Sequence, residues 1–91
     1  MKSDVIAKLR DTLADIESEN DAHLNDSFAG ASISDHEELV LKLNAAAGVS
    51  LCKSILDLIV SDIDGKHQHF DELNFIDEGS AKFVIVYSKG D

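Results

Sequence analysis

The sequence has no proline, a single cysteine (Cys52) and a single arginine (Arg10). With one cysteine, no intramolecular disulfide can form, which excludes the disulfide-stapled frameworks of small secreted domains. Without proline, the usual marker of turns and helix kinks is missing. No apolar run approaches the ~18–20 residues a membrane-spanning helix needs. The opening residues, Met1-Lys2-Ser3-Asp4, turn acidic at once and carry no apolar signal-peptide core, so a cytoplasmic location is expected. There is no internal repeat, no low-complexity tract and no glycine-rich phosphate loop. Basic charge is also scarce. Eighteen acidic residues face eight basic ones in a chain of 91, a net charge of -10. Nucleic-acid backbones and anionic membranes repel such a surface, and a basic protein surface is attracted to it.

Ninety-one residues make one domain, spanning 1-91, with a small core. Its most apolar stretch is Leu51 to Ile63, whose large side chains cover an arc of roughly 200° on a helical wheel against ~100° for a surface helix. A central helix packed on two sides is expected there, with Lys53, Ser54, Asp57 and Ser61 as its narrow polar edge. Ile55 to Ile63 is also rich in β-branched residues and ends at Asp64-Gly65, a hairpin-turn dipeptide, so a strand remains the alternative.

Val5, Ile6, Leu9, Leu13 and Ile16 recur at three- and four-residue spacing, which predicts a helix over about 4-19, capped by Ser3. Residues 20–33 have no clean period and are expected as an ordered loop pinned by Phe28, with Leu24 and Phe28 able to mark a helical turn. Ser34 and Glu37 form a capping-box pattern before Leu39, Val40, Leu43, Ala46 and Ala47. A second helix over about 35-47, ended by Gly48, is predicted. The third helix then covers about 51-63. After Gly65 the period shortens, and a β-hairpin with strands at about 72-77 and 81-88 is expected, Phe83, Ile85 and Tyr87 facing the helices. Val84 and Val86 would lie on the outer face. The expected fold class is therefore α+β: three helices followed by a C-terminal β-hairpin.

Three stretches bear on chemistry. Ala45-Ala46-Ala47-Gly48-Val49-Ser50-Leu51 resembles the turn of bacterial helix-turn-helix proteins, where small residues precede Gly-Val-Ser. The resemblance covers about seven residues. That family buries apolar residues where this chain has Ser54 and Asp57, and favours alanine where it has Asn44. The candidate recognition helix carries Asp57, Asp62 and Asp64 against one lysine, which opposes phosphate contact. Asp62, Asp64, His67, His69, Asp71 and Glu72 raise a metal site. An EF-hand register on Gly65 puts Val60 at the first ligand position and Asp71 at the last, so it fails. His67 and His69 are expected on opposite sides of an extended chain. Cys52 is expected on the buried apolar arc, where a thiol is inert.

No cofactor and no catalytic set is implied. What stands out is the segment from Asp11 to Glu38, with nine acids and no lysine or arginine. Acids at the C-terminal end of the first helix oppose its dipole, and Asp11/Asp15 and Asp15/Glu19 are like-charge pairs. The function expected is that of a small acidic, non-enzymatic protein-binding module such as an inhibitor, immunity protein or nucleic-acid mimic. Its partner-binding residues would be Asp11, Asp15, Glu17, Glu19, Asp21, Glu37 and Glu38, docking on a protein with a basic surface. The alternatives are a dimeric structural or adaptor subunit joined through Val84 and Val86, and a helix-turn-helix regulator.

Overall fold

The computed structural model describes residues 3–18 and 27–90. In chain order the elements are α1 (Ser3–Ser18), β1 (Ala29–Ile33), β2 (Leu39–Leu43), α2 (Ala45–Ser61), β3 (His67–Phe70) and β4 (Phe83–Val86). The class is α+β, but the described residues form two helices and four strands in two antiparallel hairpins, not three helices and one hairpin.

The predicted helix over 35-47 is absent. Ser34 to Glu38 is instead the turn between β1 and β2, whose register pairs Ile33 with Leu39 and Ala29 with Leu43. A five-residue apolar run such as Leu39-Val40-Leu41-Lys42-Leu43 fits either period, and here the strand wins. The predicted break at Gly48 is absent too. The helix starts at Ala45, capped by Asn44, whose side-chain oxygen accepts the Ala47 amide, and runs through Gly48-Val49-Ser50 without interruption. This removes the helix-turn-helix as well as the third helix at 51-63, because one continuous helix replaces two. It also decides between helix and strand for residues 55–61. The helix ends where Asp62 adopts a left-handed conformation (φ 53°) and returns its amide to the Leu58 and Ile59 carbonyls.

The last hairpin is shifted. Its first strand is His67–Phe70, not 72-77, and pairs Phe70 with Phe83 and His67 with Val86. Residues 72–77 form turns and an extended segment that leads across to the first hairpin. There, residues 77–81 run alongside β1. Ala31 donates to Glu78, Asp77 to Ala29, and Ala81 to Ala31, with N···O distances of 3.0, 2.7 and 3.2 Å. Gly79 is required in this crossing: its φ is 95°, and a Cβ there would collide with the Ala31 carbonyl.

α2 lies at the centre, with α1 packed along it and β2 and β3 touching it. The core holds Ala29, Ala31, Ala46, Ala47, Leu58, Phe70 and Ile76. Phe70 stacks on Phe83 at 4.8 Å between ring centroids and meets Phe75 edge-on at 5.2 Å. The Cα radius of gyration is 14.3 Å, against ~12 Å for a compact chain of this length. The Cα envelope is a slab of 41 × 40 × 21 Å. In so thin a body most apolar side chains keep one open side. Among the described residues no large side chain is fully buried, and no helix is long and apolar enough to cross a membrane.

Candidate functional site

The acidic residues expected as one surface are distributed over separate elements. Asp11 and Asp15 are exposed and four apart on α1, on one face. Glu17 is 240° around the helix from Asp11 at 100° per residue, on the half-buried side. Asp11 is not a free anion. Its carboxylate takes Arg10 at 3.2 Å, and Arg10 also reaches Asp57 on α2 at 3.7 Å. Lys53 meets the same Asp57 at 3.4 Å. Glu19 and Asp21 lie outside the described residues, as does Leu24.

Glu37 and Glu38 belong to the β1–β2 turn. Ser34 organises it. Its amide donates to the Glu38 carbonyl at 2.8 Å, and its hydroxyl oxygen accepts the His36 and Glu38 amides at 3.3 and 3.2 Å. Glu37 sits at φ 63° and donates its amide to the Ser34 carbonyl. Serine thus supplies the local backbone bonding of a turn, the role expected of it at a helix cap. Just below, the cross-strand pair Ile33 and Leu39 is open to solvent, at 60% and 44% exposure. The same face at the base of the hairpin, Ala29 and Ala31, is buried. The hairpin therefore anchors at its base and presents an apolar pair next to its turn, which carries the exposed acids Asp35, Glu37 and Glu38. Residue identity announced the acids; the apolar pair was not recognised, because it forms only once β1 and β2 align.

A second polar cluster joins the end of α2 to the end of the chain. The Tyr87 hydroxyl donates to Asp62 Oδ1 at 2.7 Å, Lys89 Nζ stands 3.6 Å from Asp62 Oδ2, and the Lys89 amide donates to Asp64 Oδ1 at 2.9 Å. The Tyr87 hydrogen bond, with the Lys89 charge behind it, holds the Asp62 carboxyl below its ordinary pKa. The same bond to Asp62 pushes the Tyr87 phenol up. Asp62, Asp64 and Lys89 are exposed, Tyr87 is half-buried, and the groups satisfy one another, which makes them a clasp rather than a reactive set.

Two expectations on reactive residues are corrected. His67 and His69 lie on the same side of β3, their rings edge-to-face at 4.9 Å, because residues two apart share a strand face. Cys52 is exposed, not buried. Among the described residues no group of three or more His, Cys, Asp or Glu side chains is gathered to hold a metal. A surface hollow of about 210 Å³ between residues 71–73 and 79–82 carries Asp71, Glu72 and Lys82 beside Leu73 and three small residues.

No protein-family model matches the chain, and neither the curated proteins nor the solved structures compared with it give a match.

Proposed function

We propose that the chain is a small acidic, non-enzymatic protein-binding module that docks through the tip of its first hairpin. The observation that carries this is the solvent-open Ile33–Leu39 pair beside a turn that carries the exposed acids Asp35, Glu37 and Glu38. An apolar centre with a charged rim is the anatomy of a specific protein contact. The partner would offer a basic rim around an apolar seat. The net charge of -10 would steer its approach, with Asp15 adding to the field without touching it and Asp11 largely offset by Arg10. Inhibitors, immunity proteins and nucleic-acid mimics work on this physics.

The test is affinity capture from native lysate with nuclease present, at ~0.1 M and ~0.5 M salt, followed by titration of the purified partner. Changing Ile33→Lys should weaken binding at least about tenfold, and Glu37→Gln with Glu38→Gln should slow association and flatten its salt dependence. Binding indifferent to both sets of changes would overturn the proposal.

A second reading is a dimeric structural or adaptor subunit joined through Val84 and Val86. What favours it is their exposure of 45% and 56% on the outer face of the last hairpin, opposite His69 and His67. A dimer in light scattering that is abolished by Val84→Lys would select it.

A further inference from the structure

The first helix carries two seams, and only one is used. Ile6, Arg10, Leu13 and Glu17 are half-buried on the side that packs against α2. Shifted by one residue, Val5, Leu9, Thr12 and Ile16 repeat the same 4-3-4 spacing, within an arc of about 60° on the wheel. Val5, Leu9 and Ile16 are 60%, 50% and 40% exposed. Thr12 belongs with them. Its hydroxyl donates back to the Lys8 carbonyl at 3.0 Å, so the polar atom is satisfied within the helix and the methyl group is free to pack. A spacing of four, three and four is that of a coiled-coil contact line, where each side chain inserts between residues of a facing helix.

We infer that this second seam pairs with the same seam of a second copy of the chain, the two α1 helices running antiparallel. Charge selects the occupant and the direction. Lys8 and Asp15 flank the seam on its outer side, two turns apart. Among the described residues neither side chain has an ion-pair partner. In an antiparallel pair Val5 layers on Ile16 of the second copy, and Leu9 on Thr12. That register brings Lys8 beside Asp15 of the second copy, and by symmetry Asp15 beside its Lys8. On the inner flank Ile6 meets Leu13. A parallel pair would place Lys8 against Leu13 and align the two helix dipoles unfavourably. The antiparallel pair also answers the acids at the wrong end of α1: Asp15 would lie toward the partner's positive N-terminal half. The result is a four-helix assembly in which each α2 packs on the flank of its own α1, about 100° around from the paired seam. This surface is separate from the hairpin tip and does not depend on the function proposed for it.

Sedimentation equilibrium of the full chain over a concentration series, at about 0.15 M salt, tests the pairing. A monomer–dimer equilibrium is expected. Leu9→Asp should abolish it while circular dichroism stays unchanged. Lys8→Asp and Asp15→Lys should each weaken the dimer about tenfold, since each places two like-charged pairs in the interface. The double exchange Lys8→Asp with Asp15→Lys should restore it. Thr12→Leu, which adds apolar surface to the seam, should tighten it about tenfold or more. Val84→Lys should leave it intact. A monomer at every concentration, a dimer insensitive to Leu9→Asp, a dimer lost with Val84→Lys, or a double exchange no better than the single changes would each overturn the inference.

Discussion

Tyr87 donates its hydroxyl hydrogen to Asp62 Oδ1 across 2.7 Å, joining the end of the last strand to the left-handed residue that stops α2. The two residues are 25 apart in sequence, and nothing in their local surroundings announces the pair. Tyr87→Phe should let the Asp62 carboxyl titrate closer to its ordinary 3.8, a change that carboxyl NMR would read directly. No upward movement would mean that Lys89, not the phenol, holds the charge. The sign of the pH effect follows from the shifts. Asp62 is lowered in the fold, so its contribution is present above 3.8 and fades as pH falls through the lower folded value. Tyr87 is raised, so its contribution is present below 10.0 and fades as pH rises through the higher folded value. Melting curves of Tyr87→Phe and the parent chain should therefore differ most between these limits and converge beyond them.

Two glycines should respond oppositely to alanine. Gly79 has φ 95° and faces the Ala31 carbonyl with no room for a Cβ. Gly79→Ala should cost about 2 kcal/mol or more, as the segment 77–81 is pushed off β1. Gly48 sits inside α2 with nothing within 4 Å of its missing Cβ. Gly48→Ala should add about 0.5–1 kcal/mol. Chemical denaturation of both variants checks the pair, and equal effects would contradict the structure.

Asn44 serves two elements with one atom. Its Oδ1 accepts the Ala47 amide inside α2 and the Phe28 amide at the base of the first hairpin, both at 3.0 Å. Asn44→Ala should cost about 1–2 kcal/mol. Hydrogen exchange should accelerate at Phe28 as well as at Ala47; acceleration at Ala47 alone would show that the hairpin base is held by other bonds.

Phe70 is the best-buried aromatic side chain, 3% exposed between Phe83 and Phe75. Phe70→Ala should cost about 3–5 kcal/mol, a large share of the ~5–15 kcal/mol expected of a small domain. Phe70→Leu should recover most of that loss. Urea midpoints would show it.

The periodicity of Val5, Ile6, Leu9, Leu13 and Ile16 reflects the helix at Ser3–Ser18 directly, because a long amphipathic repeat admits one period. The middle of the chain was not legible for a physical reason. Ser34 bonds to amides two and four residues ahead, and the same short-range chemistry serves a turn or a helix cap. Leu39 to Leu43 is too short to distinguish the periods. Asn44 caps α2 ahead of three alanines, but Gly48 four residues on carries a helix-stop signal that the helix overrides. His67–Phe70 buries only its last residue, so no alternation marked it as a strand. Leu73, inside the strand expected at about 72-77, is 90% exposed in a turn. Of the candidate site, Glu37 and Glu38 were found through their charge. Ile33 and Leu39 were not, because their pairing depends on the turn between them.

The crossing of residues 77–81 over β1 also sets an order of events. A two-stranded hairpin is marginal by itself, and the bond from the Ala29 amide to Asp77 closes a separation of 48 residues. Such distant closures follow local ones, because chain entropy must be overcome first. During synthesis, β1, β2 and the start of α2 can form while the outer edge of β1 is still bare. That edge is covered only after Gly79 has been made, so for about fifty residues of synthesis the open backbone of β1 can pair with any other strand that meets it.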